Sequence, residues 1–263
     1  MRRPDSLALM RKIVLFTILV LATLVAAVAA HVTSALPRPS GARLEVDAEV
    51  VGVLAGAAYA YVVQRGSTLV LVDAGSDRSG RALLAELARR GATPEQVSAL
   101  LVTHGHYDHF SAAALFPRAI VYVGGPDHVL LRGDRYPRGP LAKQVARFTT
   151  KPLLPGSIAT LLPGDVVRVG ELTFDVIAVP GHTAGSMMFR LGDVLFTGDS
   201  LLVDGDGLSL ASWLFSDSVS DNRRSLARLA PVPFTIIADG HVGIARDGRA
   251  RYERLMGLAA HSP

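Results

Sequence analysis

Seven histidine and aspartate side chains, each following a short apolar run, most constrain what this chain can fold into. Four of them share the segment 103–109, which contains a His-x-His-x-Asp-His pattern. The full set, in chain order, is His104, His106, Asp108, His109, His182, Asp199 and His241. Loops that follow buried strands carry binding residues at the ends of a rigid scaffold. The chain is therefore expected to bring several strand ends together around these side chains.

The remaining pattern is rich in strands. Short β-branched and aromatic runs between glycine-containing turns predict strands at 49–54, 59–64, 68–73, 97–103, 120–123, 166–169, 172–179, 187–191, 194–197 and 235–238. Apolar residues at helical spacing predict helices at 81–90 and 221–229, with Gly91 ending the first. Two strand-rich stretches, each followed by helical pattern, favour an α/β fold with two sheets packed face to face and helices outside.

The residue types of the set indicate divalent metal binding. His104 and His106 are two residues apart and can address one metal, while Gly105 lets the backbone turn closely. Asp108 and His109 follow where the chain should enter a helix, and they can face a second metal. The chain has no cysteine, which excludes thiolate ligands, disulfides and a cysteine nucleophile. Nitrogen and oxygen donors without sulfur suit zinc, two ions per chain, and do not exclude iron or manganese.

These motifs resemble, in order, those of the metallo-β-lactamase superfamily. The resemblance spans about residues 49–241 and includes Asp73 in the segment Val72-Asp73-Ala74-Gly75. It implies a four-layer αββα sandwich of two mixed sheets with helices outside. It also implies that Asp73 supports the metal site from behind the ligands, although Asp73 could instead be an ordinary turn residue.

The resemblance also implies a ligand assignment. His104, His106 and His182 would hold the first metal, Asp108, His109 and His241 the second, and Asp199 would bridge the two. A water held between two cations loses a proton near neutral pH and can attack a carbonyl, with Asp108 orienting it or relaying its proton.

Three functions remain open at this stage. The leading expectation is a binuclear hydrolase acting on a small ester, thioester, lactone or β-lactam. The second is a mononuclear iron dioxygenase of the persulfide dioxygenase type, which uses a subset of the same ligands. The third is a metal-binding protein without turnover. A bridging Asp199 resembles the glyoxalase II and lactonase branches. The short stretch after His241 argues against a strict glyoxalase II, whose glutathione site uses a helical C-terminal domain.

An uncharged apolar run at residues 13–30, preceded by Arg11 and Lys12, predicts export. It fits either a cleaved signal peptide or an N-terminal transmembrane anchor, and both alternatives stay open. Residues 31–42 are then a linker and 43–263 a catalytic domain. Either alternative places that domain in the periplasm or outside the cell, and an uncleaved anchor would also hold it at the membrane.

Charge is concentrated in two places. The formal net charge is +4, of which +3 precedes the apolar run, so the body is nearly neutral and nucleic acid is not an expected partner. The segment 131–157 carries +5, and Leu141, Val145 and Phe148 in it predict an amphipathic helix. This segment favours anionic small-molecule substrates or a membrane surface, unless it is simply a solvated basic face. Nearby, Trp213 is expected to pack in the core rather than line a pocket.

Overall fold

The computed structural model describes residues 10, 14–23, 26, 38–149, 154 and 156–258. The chain separates into two compact units, Met1–Arg38 and Pro39–Pro263. In the first unit, residues 14–23 form helix α1 with exposed side chains. The other residues of the predicted export segment lie outside the described ones, apart from residue 26. Within the described part of the chain, no helix combines the length and hydropathy that crossing a bilayer requires.

The second unit begins with a seven-stranded sheet in the order β1-β2-β3-β4-β5-β6-β7. Its strands are β1 Arg43–Glu45, β2 Val50–Leu54, β3 Tyr59–Arg65, β4 Thr68–Val72, β5 Val97–Val102, β6 Ile120–Gly124 and β7 Ile158–Leu161. The pairs up to β4 are antiparallel, and those from β4 to β7 are parallel. Parallel pairs need crossover connections, which here contain helices α2 Arg81–Arg89, α3 His128–Leu131 and α4 Pro140–Phe148.

A six-stranded sheet follows, in the order β15-β14-β11-β10-β9-β8. Its strands are β8 Val166–Val169, β9 Leu172–Ala178, β10 Met187–Leu191, β11 Val194–Gly198, β14 Ile236–Asp239 and β15 Ile244–Ala245. A separate hairpin pairs β12 Leu202–Asp204 with β13 Gly207–Ser209. The helices of this half are α5 Val219–Ser225 and α6 Gly248–Met256.

Alternation along the strands places the core in three layers. In β4, Val70 and Val72 point to the apolar cluster shared by both sheets, whereas Leu69 and Leu71 point to the cluster covered by α2. Period-two alternation of this kind allows a strand to be buried on both faces. A third cluster buries Tyr252 of α6 against the outer face of the second sheet. The order helix, sheet, sheet, helix confirms the predicted αββα sandwich.

Most predicted elements are present, with bounds shifted by one or two residues. Gly91, the predicted helix end, has a φ of +67°, a conformation that glycine adopts without strain. The predicted helix at 221–229 is α5 followed by a 3₁₀ turn, Leu226–Leu229. The predicted strand at 235–238, the last in the sequence-based list, is followed by a further strand, β15, that the sequence did not predict. The helix expected after the histidine cluster is a single 3₁₀ turn, Tyr107–His109.

The segment 131–157 contains the predicted amphipathic helix, α4, and it runs from the last residue of α3 to the residue before β7. The expectation that Trp213 packs in the core is wrong, since its side chain is 65% exposed. Its neighbours are held by backbone bonds: Leu141 and Ala142 of α4 both donate to the Leu214 carbonyl. That pairing fixes the loop on the surface and leaves the indole outside.

Candidate metal centre

The seven predicted ligands come from loops at the carboxyl ends of strands that run in the same direction. The first four follow β5, which is parallel to β4 and β6. His182, Asp199 and His241 follow β9, β11 and β14, and the pairing of the second sheet makes these three strands run the same way. Strand direction thus explains why residues more than a hundred positions apart meet.

One cluster is formed by His104, His106 and His182. Nε2 of His182 lies 3.1 Å from Nε2 of His104 and 3.0 Å from Nδ1 of His106. Nitrogens bound to one tetrahedral zinc would be about 3.3 Å apart, given zinc–nitrogen bonds of about 2.0–2.1 Å. All three histidines are buried. The three rings can therefore share one ion with little movement.

A second cluster is formed by Asp108, His109 and His241. Oδ2 of Asp108 lies 3.6 Å from Nε2 of His241 and 3.9 Å from Nε2 of His109. This cluster is more open than the first, because the side chains of Asp108 and His241 are 18% and 14% exposed. The second cluster thus combines the buried His109 with two partly exposed side chains, which suits an ion that must also meet a substrate.

Asp199 lies between the two clusters. Its Oδ2 is 3.0 Å from Nε2 of His241 and 3.5 Å from Nε2 of His182, and its Oδ1 is 3.3 Å from Nε2 of His109. The carboxylate therefore reaches ligands of both groups, as a bridging residue must.

Several donor atoms of the site have no protein partner. Nε2 of His109 and Oδ1 of Asp199 are buried without a hydrogen bond, and so is Nε2 of His106. A buried polar atom left unsatisfied costs about 1–3 kcal/mol. Buried polar atoms without a partner are uncommon in folded proteins, and a bound ligand would explain two of them only 3.3 Å apart, Nε2 of His109 and Oδ1 of Asp199. The donor set and these atoms fit divalent cations, which accept lone pairs from both nitrogen and carboxylate oxygen.

Asp73 belongs to neither cluster but contacts the predicted ligand His109. Its Oδ2 lies 2.8 Å from Nδ1 of His109 and accepts a hydrogen bond from Oγ1 of Thr103, while its Oδ1 accepts from the Thr103 backbone. Among the described residues it is the one non-glycine with positive φ, at 59°. Such a backbone costs about 1–2 kcal/mol, and aspartate tolerates it better than most residues. The contact with His109 favours the supporting role over that of an ordinary turn.

The other ring nitrogens also have partners. Nδ1 of His182 lies 3.1 Å from Oγ of Ser216, Nδ1 of His104 lies 3.1 Å from Oγ1 of Thr103, and Nδ1 of His241 lies 2.8 Å from the Ala57 carbonyl. Such contacts fix ring orientation and tautomer, which directs the remaining nitrogen toward the cluster.

Burial and charge set the protonation of the site. Burial holds the pKa of His104 and His182 well below the usual histidine value, so both rings are neutral, as metal ligands must be. Burial also disfavours a charged His241, but the Asp199 carboxylate outweighs it and raises the pKa of His241 to about 9. The pKa of Asp199 is well below its usual range, because His241 and His109 outweigh its burial.

Two further aspartates organise the site, and the sequence did not single them out. Asp127, in a 3₁₀ turn after β6, is fully buried. It accepts from the backbone of Gly105 at 2.7 Å and of Gly185 at 2.8 Å, and from Oγ1 of Thr183 at 2.6 Å. It thereby ties the loop of the first two histidines to the loop of the third. Burial raises the pKa of Asp127 to about 6.

Asp239 has the corresponding structural role in the loop of His241. It accepts backbone hydrogen bonds from His241, Val242 and Gly243, and its other oxygen accepts from Val203. Asp239 ends a buried strand and precedes a glycine, which was an available signal, since such a carboxylate needs donors from a neighbouring loop. Asp127 has no comparable signal in the sequence.

The fold and this arrangement of histidines and aspartates define a candidate metal centre of a known class. A family model described as the metallo-beta-lactamase superfamily matches residues 53–256. The chain belongs to that superfamily.

Individual relatives agree with this assignment. The chain is 32% identical over 162 residues to an uncharacterized protein of Mycobacterium tuberculosis, covering 57% of this chain and 70% of that protein. It is 34% identical over 175 residues to a hydroxyacylglutathione hydrolase of Chelativorans sp., covering 65% of this chain and 56% of the hydrolase. The structure titled Rm3 metallo-beta-lactamase superposes with a TM-score of 0.64 at 20% identity, covering 84% of this chain and 94% of the other. This last similarity shows the fold alone.

Proposed function

We propose that this protein is a metal-dependent hydrolase with two divalent ions, acting on a small ester, thioester, lactone or β-lactam. The observation that carries the proposal is the position of Asp199 between two complete ligand clusters. A centre for one ion would need only the first cluster and would leave Asp108, His109 and His241 without a purpose.

Two zinc ions bound there would supply an activated water and polarise the carbonyl oxygen of the substrate. The protein's own part is to hold these elements in place and to move a proton. Asp108 is partly exposed, and its Oδ2 lies at the open side of the second cluster. In this position its carboxylate can orient the attacking water and pass the proton to the leaving group.

The substrate class rests on the relatives. The hydroxyacylglutathione hydrolase acts, by its name, on a thioester of glutathione, and the solved neighbour is named as a β-lactamase. Since the chain spans 56% of that hydrolase, we propose the reaction class and not the glutathione substrate. A carbonyl with a good leaving group, in a small molecule, is what these substrates share.

Metal analysis together with a substrate panel tests the proposal. Protein purified without added metal should contain two zinc ions per chain and hydrolyse at least one ester, thioester, lactone or β-lactam. One iron per chain with oxygen consumption would instead establish the dioxygenase, and metal retention without turnover would establish a binding protein.

Variants sharpen this test. Asp108→Asn should lower kcat by about 10²–10⁴, the usual contribution of a positioned acid or base. The matched control is Asp204→Asn, in the exposed hairpin of β12 and β13, which should leave kcat unchanged. Equal activity of Asp108→Asn and wild type would contradict the assigned role.

The cellular location stays a prediction. We propose export directed by residues 13–30, with the catalytic unit on the outer side of the cytoplasmic membrane. A phosphatase reporter fused after residue 38 would be active if the segment exports it, and the N-terminal sequence of the mature protein would distinguish cleavage from anchoring.

A further inference from the structure

Three aromatic side chains and three cations share an exposed surface around α4. Tyr136, Phe148 and Trp213 are 52%, 89% and 65% exposed. The exposed cations Arg135, Lys143 and Arg147 come from the same stretch of chain. We call these six residues the aromatic–basic face. Exposing large aromatic rings is unfavourable in water, so a cluster of them indicates a surface that becomes covered.

Contacts between the segments make this a single surface. The loop of Trp213 is bonded to the start of α4, because Leu141 donates to the Leu214 carbonyl at 2.8 Å. At the other end of the helix, the Arg147 guanidinium lies 5.7 Å from the ring centre of Tyr136. Phe148 is the last residue of α4. Lys143, Arg147 and Phe148 therefore lie on α4, with Tyr136 beside Arg147 and the Trp213 loop bonded to the start of the helix.

The positive charge of the face is available for a partner. Within the described residues, no carboxylate lies within 4.0 Å of a basic group of Arg135, Lys143 or Arg147. The nearby Asp134 pairs with Arg132 instead. Cations left unpaired beside exposed aromatic rings attract an anionic surface and then bury apolar area in it.

We propose that the aromatic–basic face docks on an anionic lipid bilayer. Aromatic rings prefer the interfacial region of a membrane, and each lysine or arginine there is attracted to anionic headgroups. A small anionic substrate would use the cations but would give no reason for an 89% exposed phenylalanine. The apolar run at residues 13–30 independently predicts that this chain meets a bilayer. The inference does not depend on hydrolase activity.

Docking would place the metal centre close to the membrane surface. Leu130 of α3 lies against Gly105, since a Cβ added to that glycine would lie 2.7 Å from Cβ of Leu130. On the other side, Ser216 contacts the ring of His182, three residues after Trp213. Residues five positions before Arg135 and three positions after Trp213 therefore contact the loops of the first metal cluster.

The chain offers a specific probe, because Trp213 is its only tryptophan. The full-length protein is mixed with vesicles of phosphatidylcholine alone or with phosphatidylglycerol added. With the anionic vesicles, Trp213 emission should shift to shorter wavelength and be quenched by brominated lipid, and salt should weaken both effects. Binding through residues 13–30 alone would not produce this signal, because that segment contains no tryptophan.

Charge variants provide the control. Removing each charge should weaken binding about fivefold. The triple variant Arg135→Gln, Lys143→Gln, Arg147→Gln should therefore need a roughly hundredfold higher lipid concentration to reach half of the Trp213 emission shift. The matched control removes the same charge elsewhere, at the exposed Arg118, Arg168 and Arg223, and should change it little. Circular dichroism checks that both variants fold.

Each of the following results would overturn the proposal. They are no spectral shift with anionic vesicles, an equal shift with neutral vesicles, an equal loss in the control variant, and a shift produced by an oligonucleotide while vesicles have no effect. A shift that depends only on protein concentration, without lipid, would instead identify the face as an interface between two copies of the chain, and it too would overturn the proposal.

Discussion

Replacing Asp127 by alanine tests how the two histidine loops are held together. The substitution removes the acceptor for the buried backbone N–H groups of Gly105 and Gly185, while Thr183 keeps a partner in Ser186 at 2.7 Å. Each of the two backbone donors left without an acceptor costs about 1–3 kcal/mol. The substitution should therefore lower the free energy of unfolding by about 2–6 kcal/mol, relative to wild type with Asp127 protonated. At about 2–4 °C per kcal/mol, a loss of about 4 kcal/mol lowers Tm by about 8–16 °C.

The pH dependence of this loss follows from the raised pKa of Asp127. A folded-state pKa of about 6, against 3.8, means that wild type gains stability as pH falls toward 4 and loses it as pH rises through 6. Alanine has no such titration. The deficit of the variant should therefore be larger at pH 5 than at pH 8, by roughly 1–2 kcal/mol.

Scanning calorimetry of metal-free wild type and variant at both pH values measures these differences, and zinc titration reports the first cluster. A variant Tm no lower than that of wild type at pH 5 would refute the idea that Asp127 joins the loops. If the stability deficit of Asp127→Ala were larger at pH 8 than at pH 5, the raised pKa of Asp127 would be refuted. Asp127→Glu is a poor control because its longer side chain would be overpacked; the exposed Asp134→Ala serves better and should change Tm little.

Three further outcomes are expected. The buried carboxylate of Glu86 pairs with Arg43 at 2.9 Å and with Arg90 at 3.0 Å. Glu86→Gln weakens both pairs and should lower the free energy of unfolding, measured with urea at pH 7, by about 1–3 kcal/mol. Because these arginines outweigh burial and lower the pKa of Glu86, that cost should shrink as pH falls below 4.5; a constant deficit would contradict the pairing. Gly181→Ala, with a φ of +140° and a Cβ that would lie 2.0 Å from a backbone nitrogen of α5, should lose at least about 3 kcal/mol and weaken zinc binding. Gly91→Ala, in open space, should cost only about 1–2 kcal/mol, and a similar loss in both variants would show that the close contact is unimportant. Zinc at a hundred times its dissociation constant should stabilise the protein by about 2.7 kcal/mol per site and chelation should reverse it; calorimetry showing no change would contradict metal binding to the native state.

The features that the sequence predicted correctly are those with a local residue pattern. Alternating β-branched runs define strands such as β4, and the order of the motifs predicts which loops supply ligands. The role of Asp127 depends on contacts 22 and 58 residues away, and a Gly-Pro-Asp segment by itself indicates only a turn. The short edge strand β7 is stabilised by pairing with β6 and has little pattern of its own. The exposure of Trp213 results from backbone bonds to α4, which hydrophobicity does not encode.

The division of the ligands between the two sheets sets an order of assembly during synthesis. A ribosome must finish residue 182 before the first cluster can close, and it must finish residue 241 before the second can. Until then, the nascent chain exposes histidines that could capture the wrong ion or bind one with too few donors. Correct loading of this protein is thus expected to follow folding of the second sheet rather than to nucleate folding.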